Sequence, residues 1–178
     1  MSNLTKSTFL GCVLSLMVVS CSSDDDEVLP YPVLENDSNA AIDLSRGDYA
    51  CYSMVTSLGN VELAIDEYYA PATSANFKQY VDESFYDGVV FHRVIAGFVA
   101  QTGGFDANYD RKETHAAIDT ESKNGLKNYR GRLAMARTSD INSATSQFYI
   151  NLVDNHFLNQ SQANDGWGYT VFGGVISG

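Results

Sequence analysis

One stretch of the chain decides the fold: Phe91–Phe105, which reads FHRVIAGFVAQTGGF. Two short runs of β-branched and aromatic residues, Val89–Ile95 and Phe98–Gln101, flank a small-residue break at Ala96-Gly97. Runs of this length separated by glycine predict two consecutive β-strands. A single charged residue, Arg93, stands in the first of them.

The sequence on either side continues the same pattern of short strands. Residues Leu58-Gly59-Asn60 predict a hairpin turn between the first two strands. Pro71–Val81 predicts a helix, because proline suits the first turn and Thr73, Phe77, Tyr80 and Val81 share one face. The further strands predicted are Tyr52–Ser57, Val61–Ile65, Arg132–Ala136, Gln147–Asn151 and Tyr169–Ile176. Short strands, glycine-rich turns and one clear helix favour a β-barrel or sandwich with helical caps.

The amino terminus differs from the rest of the chain. An apolar run, Phe9–Val19, follows Lys6 and is shorter than the roughly 20 residues that span a bilayer. Its length is typical of the apolar segment of a signal peptide, which we assign to residues 1–20. The following Val18-Val19-Ser20-Cys21 resembles a bacterial lipobox and predicts lipid modification of Cys21. An ordinary secretory signal with an incidental cysteine is the alternative.

Residues 21–48 predict a flexible acidic tether. Ser22–Asp48 holds eight acidic residues and a single basic one, Arg46, together with Pro30 and Pro32. Such a segment repels itself and stays extended. Over the whole chain, 22 acidic and 11 basic residues give a formal net charge of −11. This balance argues against nucleic acid as a partner, since phosphate binding needs clustered lysine and arginine.

Motifs of nucleophilic, nucleotide or metal chemistry are missing from the sequence. There is no Gly-x-Ser-x-Gly elbow, no P-loop and no Cys-x-x-Cys pair. The three histidines, His92, His115 and His156, are scattered, and we expect neither a metal nor a cofactor. Cys51 lies in a predicted strand and is expected to be a buried thiol.

Four blocks resemble the cyclophilin prolyl isomerases, in the family's order and approximate spacing. The resemblance extends over nearly all of residues 49–178, and its details are similar to the bacterial envelope branch of the family. The blocks are Phe91–Phe105, Gly131–Thr138 with Asn142–Ile150, Asn155–Leu158, and Tyr169–Gly173.

The resemblance implies a mainly β fold, an eight-stranded antiparallel barrel with capping helices, in a domain at 49–178. It implies rotation about X-Pro bonds of proline-containing polypeptides, by a monomer in the bacterial envelope. The catalytic positions it carries over are Arg93, Phe98 and Gln101. The substrate-binding positions it carries over are Val99, Ala136, Arg137, Thr138, Gln147, Tyr149, Phe157, Leu158 and Tyr169.

Several departures from the family's pattern carry expectations of their own. Arg137 stands where many relatives have asparagine, which changes the contact to the residues before proline. Phe157 and Tyr169 replace the Trp and His of many eukaryotic members, so weak cyclosporin binding is expected. The chain stops before the family's final helix and strand, which predicts a truncated barrel. A catalytically weak module that binds proline-containing segments is therefore the alternative to an isomerase.

Overall fold

A computed structural model of the protein describes residues 14–18, through their backbone, and residues 49–178. The signal-peptide boundary, the tether at 21–48 and Cys21 lie outside the described residues, so these assignments stay predictions. Within the described part, no helix is both long and apolar enough to cross a membrane.

The described residues form one antiparallel sheet of eight strands, seven of which come from residues 49–178. The strands are β1 Leu14–Val18, β2 Tyr49–Thr56, β3 Gly59–Asp66, β4 Arg93–Val94, β5 Val99–Thr102, β6 Arg132–Met135, β7 Phe148–Asn151 and β8 Val171–Ser177. Their order across the sheet is β1-β2-β3-β8-β6-β7-β5-β4. One α-helix, α1 at Pro71–Asp82, and one 3-10 turn at His156–Leu158 complete the elements of the described residues. The predicted mainly β fold is confirmed.

Strand β1 was not predicted from the sequence. It pairs antiparallel with β2, from Leu14 opposite Thr56 to Val18 opposite Tyr52. The same apolar residues suit a signal segment and a strand, because the exposed edge of β2 offers unpaired backbone groups to any extended segment. The assignment of residues 1–20 to a signal peptide remains a prediction.

The expectation of a free thiol at Cys51 is wrong. Cys51 is 7% exposed in β2, as expected, but it is disulfide-bonded. The other two cysteines, Cys12 and Cys21, both lie outside the described residues.

The stretch that decides the fold forms less strand than predicted. Of Val89–Ile95, only Arg93–Val94 is a strand, while Val89 makes an isolated bridge to Asp106. The chain then turns tightly, with the Ile95 N–H donating to Val99 O at 2.9 Å. Gly97 adopts a φ of 71° in this turn, a left-handed conformation that favours glycine. The result is a short β4–β5 hairpin that brings Arg93 over the next strand.

The larger hydrophobic core is packed around Phe77 of α1. The helix buries the face that the sequence predicted, including Thr73, Phe77, Tyr80 and Val81. The ring of Phe77 is fully buried, and four other aromatic rings lie within 5.6 Å of its centroid. These rings belong to Tyr52, Tyr86, Phe148 and Phe172.

Candidate active site

Arg93 and Gln101 are brought together by the β4–β5 hairpin. The two residues are direct partners across the strands, so their side chains share one face of the sheet. Arg93 is exposed, and its Cζ lies 5.4 Å from the centroid of the Phe98 ring. A cationic fork is therefore held above an aromatic ring and open to a ligand.

A buried apolar cluster lies beside Phe98 and this arginine. Val99, Tyr149 and Leu158 are 1%, 4% and 9% exposed and form one cluster with Ala134 and Val171. Phe98, Leu126, Ala136 and Tyr169 pack against this cluster while keeping part of their surface open. We call this set the pocket cluster. Partly exposed apolar residues over such a cluster, with a few polar groups beside them, are suited to bind a small apolar ring.

Phe157 forms the open rim of the pocket. It is 58% exposed, and its ring stacks on that of Phe98 with centroids 5.7 Å apart and planes at 17°. The 3-10 turn thus presents Phe157 at the surface and Leu158 to the interior.

A glutamine pair supports the polar side of the site. The Gln101 Nε2 donates to Gln147 Oε1 at 3.0 Å. Gly104 leaves room for this pair, because a Cβ at position 104 would lie 2.6 Å from the Gln147 side chain. The role of Gly104 was not predicted from the sequence. Its position in the stretch Phe91–Phe105, two residues after Thr102, was the one feature that could have indicated it.

Arg137 is engaged within the protein. Its side chain is 5% exposed, donates from Nε to Gly168 O at 3.0 Å, and forms an ion pair with Asp165. Its Cζ also lies 4.8 Å from the centroid of the Tyr169 ring. Arg137 therefore ties the loop before β8 to the pocket cluster, and a direct contact of its guanidinium with substrate stays a prediction.

Asp165 is the acceptor that organises this loop. Its Oδ1 accepts from the backbone N–H groups of Trp167 and Gly168, each at 2.9 Å. The Gly168 N–H, with the Arg137 guanidinium and the Trp167 N–H, holds the pKa of Asp165 well below its usual range. Arg137 and Asp165 are 28 residues apart in sequence, so spacing alone did not reveal the pair.

The strip from Ala136 to Thr138 lies along the same groove. The Ala136 N–H donates to Gln147 O at 2.9 Å. Thr138 is exposed and donates from both its N–H and its hydroxyl to the Ser143 Oγ, at 2.9 and 2.8 Å. The structure therefore brings all twelve predicted catalytic and substrate-binding positions to one side of the sheet or to the loops next to it, and their roles toward substrate stay predictions.

His92 lies directly behind Arg93. Its ring centroid is 4.6 Å from that of Phe105, and its Nδ1 is buried with no hydrogen-bond partner among the described residues. Burial lowers the pKa of His92 below its ordinary value. A neutral, packed ring fits this position better than a group that gives and takes protons.

The described residues contain no group of three or more His, Cys, Asp or Glu side chains placed to hold a metal ion. The groups assembled at the site are a fixed cation, two amides and apolar rings. Groups of this kind are suited to bind and orient a polar backbone beside an apolar ring, and none of them is a nucleophile poised beside a base.

Comparison with known proteins agrees with this geometry. Residues 51–178 match the family described as cyclophilin type peptidyl-prolyl cis-trans isomerase/CLD. The chain belongs to this family. It is 50% identical over 125 residues to peptidyl-prolyl cis-trans isomerase A of Dickeya dadantii (strain 3937), covering 70% of this chain and 65% of that one. It is 49% identical over 124 residues to isomerase B of Escherichia coli (strain K12), covering 69% of this chain and 76% of that one.

Solved cyclophilins have the same fold. A crystal structure of a Cryptosporidium parvum cyclophilin type isomerase matches with a TM-score of 0.58 and 26% identity, over 71% of this chain and 76% of that one. Among curated relatives, the chain spans 65% of the Dickeya protein and 65% of a related isomerase from Acinetobacter baylyi.

Proposed function

We propose that the chain is a peptidyl-prolyl cis–trans isomerase acting on proline-containing polypeptides. The observation that carries this proposal is the placement of Arg93 over Phe98, opposite Gln101 and beside the apolar pocket cluster. The pocket is suited to a proline ring, and the arginine is suited to the amide that precedes it.

The reaction needs no bond to be broken. Rotation about an X-Pro amide is opposed by a barrier of about 18–20 kcal/mol, because the planar amide is stabilised by resonance. Twisting the bond removes that resonance and leaves a lone pair on the prolyl nitrogen, which becomes a better hydrogen-bond acceptor. Arg93 offers planar, charged donors to this nitrogen, so it stabilises the twisted state more than either planar one.

The remaining groups hold the peptide while it rotates. Val99, Tyr149 and Leu158 bind the proline ring, and the Gln101–Gln147 pair keeps polar donors beside the peptide backbone. A 10⁵-fold acceleration would require about 7 kcal/mol of preferential stabilisation of the twisted amide.

The cellular setting is part of the same proposal. A lipid anchor on Cys21 and an acidic tether at 21–48 would hold the isomerase at the bacterial envelope, where it would assist the folding of secreted proteins. The apolar run Phe9–Val19 and the lipobox-like residues before Cys21 support this placement. Labelling of cells with a radioactive fatty acid tests it: wild type should incorporate label, and Cys21→Ser should not. Equal incorporation by the two proteins would remove the anchor from the proposal.

The isomerase is tested by two-dimensional exchange NMR on an Ala-Pro peptide with the full chain. Exchange should be fast in wild type and fall by about 10² or more in Arg93→Ala, because the fork that prefers the twisted amide is lost. Peptide affinity should weaken only modestly. Arg130→Ala removes an exposed arginine just before β6 and is the matched control.

Two results would contradict the assignment. Unchanged exchange in Arg93→Ala would show that Arg93 is not catalytic. A folded wild-type chain that binds the peptide without accelerating its exchange would be a binding module instead of an enzyme.

A further inference from the structure

Behind the pocket cluster lies a buried network of asparagine side chains. Asn128, Asn151, Asn155 and Asn159 are all 4% exposed or less. The Tyr149 hydroxyl donates to Asn128 Oδ1 at 2.9 Å, and Asn128 Nδ2 donates to Asn159 Oδ1 at 3.2 Å. Buried amides are costly unless hydrogen-bonded, so a connected set of them fixes its members in position.

Asn155 occupies the key position in this network. Its Nδ2 donates to Phe98 O at 3.0 Å and to Asn151 Oδ1 at 2.8 Å. Its own backbone carbonyl accepts from the Leu158 N–H at 2.9 Å. One residue thus contacts the strand that carries Phe98 through its side chain, and the turn that carries Leu158 through its backbone.

The direction of the Asn155 side chain is unusual for its position. Asn155 immediately precedes the 3-10 turn at His156–Leu158, where an asparagine commonly caps the turn with its own side chain. Here the side chain makes no capping hydrogen bond. It reaches across to Phe98 O, which already accepts from the Leu152 N–H at 2.9 Å.

We infer that Asn155 is a positioning residue that sets the width of the proline pocket. This inference rests on the proposed isomerase function. One wall carries Phe98, with Arg93 above it, and the other carries Leu158, while the Phe157 ring stacks on that of Phe98 at the surface. Asn155 is hydrogen-bonded to both walls. The backbone pairing of Arg93 with Gln101 does not involve Asn155, so the place of Arg93 on β4 does not depend on this residue.

The substitution Asn155→Asp tests the inference with almost no change in volume. An ionised carboxylate has no hydrogen to donate, so it would face two oxygen acceptors, Phe98 O and Asn151 Oδ1. The walls should separate, and the Kd of the full chain for an Ala-Pro peptide should rise about tenfold. The exchange rate at saturating peptide should change much less, which is the reverse of the pattern expected for Arg93→Ala.

The matched control is Asn76→Asp. Asn76 is a buried asparagine of α1 whose Nδ2 donates to a backbone carbonyl, Thr145 O, at 2.7 Å. The same chemical change there should cost stability and leave the Kd for the peptide unchanged. Ring-proton Overhauser contacts between Phe98 and Phe157 should weaken in Asn155→Asp and persist in Asn76→Asp.

A Kd for Asn155→Asp equal to that of wild type, or an equal rise in Asn76→Asp, would overturn the inference. If Asn155→Asp fails to fold, Asn155→Ser replaces it, because the shorter hydroxyl cannot span both acceptors; an unchanged Kd in that variant has the same meaning. The proposed function fails separately, when folded wild type accelerates no exchange or when Arg93→Ala exchanges normally.

Discussion

The core around Phe77 and the pocket cluster use similar residues but are stabilised in different ways. In the core, Phe77 is surrounded on its sides by aromatic rings, two of them at nearly right angles to it. In the pocket cluster, the buried residues Val99, Tyr149 and Leu158 are covered on one side by partly exposed residues such as Phe98 and Tyr169, and buried asparagines lie behind them. Apolar packing is non-directional and needs neighbours on every side. The pocket cluster has fewer apolar neighbours on its surface side, so it depends more on directional hydrogen bonds to keep its shape.

The largest expected effect comes from breaking the core. Phe77→Ala would remove a fully buried ring and should lower the free energy of unfolding by about 3–5 kcal/mol. Chemical denaturation measures this loss. The exchange rate per folded molecule should stay close to that of wild type, because Phe77 belongs to the core cluster alone. A loss of activity in molecules shown to be folded would mean that the two regions are not separable.

Two buried tyrosines allow a matched comparison of the regions. The Tyr149 hydroxyl donates to Asn128 Oδ1 and the Tyr86 hydroxyl donates to Ser146 O, both at 2.9 Å. Burial raises the pKa of both hydroxyls, so both remain protonated donors at neutral pH. Replacing either by phenylalanine should cost about 0.5–1.5 kcal/mol of stability.

Only Tyr149→Phe should also weaken peptide binding, because only that hydroxyl connects the pocket cluster to the asparagine network. Titration of each variant with an Ala-Pro peptide measures the two Kd values to be compared. Equal affinities for Tyr149→Phe and Tyr86→Phe would show that the network contributes stability and nothing further.

The smallest effect concerns His92, which belongs to neither cluster. Because burial lowers its pKa in the folded protein, the unfolded chain binds more protons as pH falls below the ordinary value of 6.5. The stabilising contribution of neutral His92 is thus fully present above that pH and is lost as pH falls. The Tm of wild type should therefore drop more between pH 7.5 and 5 than that of His92→Phe, in parallel thermal melts. Identical pH dependence in the two proteins would contradict a buried neutral His92.

Much of the fold follows from local sequence. Pro71 with the spacing of Phe77 and Tyr80 predicted α1, and two short strand-forming runs separated by Leu58-Gly59-Asn60 predicted the β2–β3 hairpin. The pairing of β1 with β2 did not follow, because the same apolar residues satisfy a signal segment. The strand predicted around Arg93 was too long, because tertiary packing, and not β-propensity alone, determines where strand pairing begins and ends.

The positions predicted for the site lie together in the structure, whereas the contacts that support them were not predicted. Arg93, Phe98 and Gln101 lie within one hairpin, where sequence order determines proximity. The partners of Arg137 and Tyr149 come from distant loops, at Asp165 and Asn128. Asparagine in a loop predicts a turn as readily as a buried hydrogen bond, so Asn128 and Asn155 carried no distinctive signal.

Gly104 has a consequence for how variants of this protein would be selected. Its φ lies outside the left-handed region, so the backbone alone does not require glycine there. The obstacle to a side chain is the Gln147 side chain from Cγ to Nε2, which would have to move aside and break its hydrogen bond with Gln101. Alanine at 104 would therefore leave a protein that folds but has lost its glutamine pair. In a library of variants sorted first for expression, proteins with alanine at position 104 should be retained. A second sort for isomerase turnover should remove them, because they fold but lack the glutamine pair.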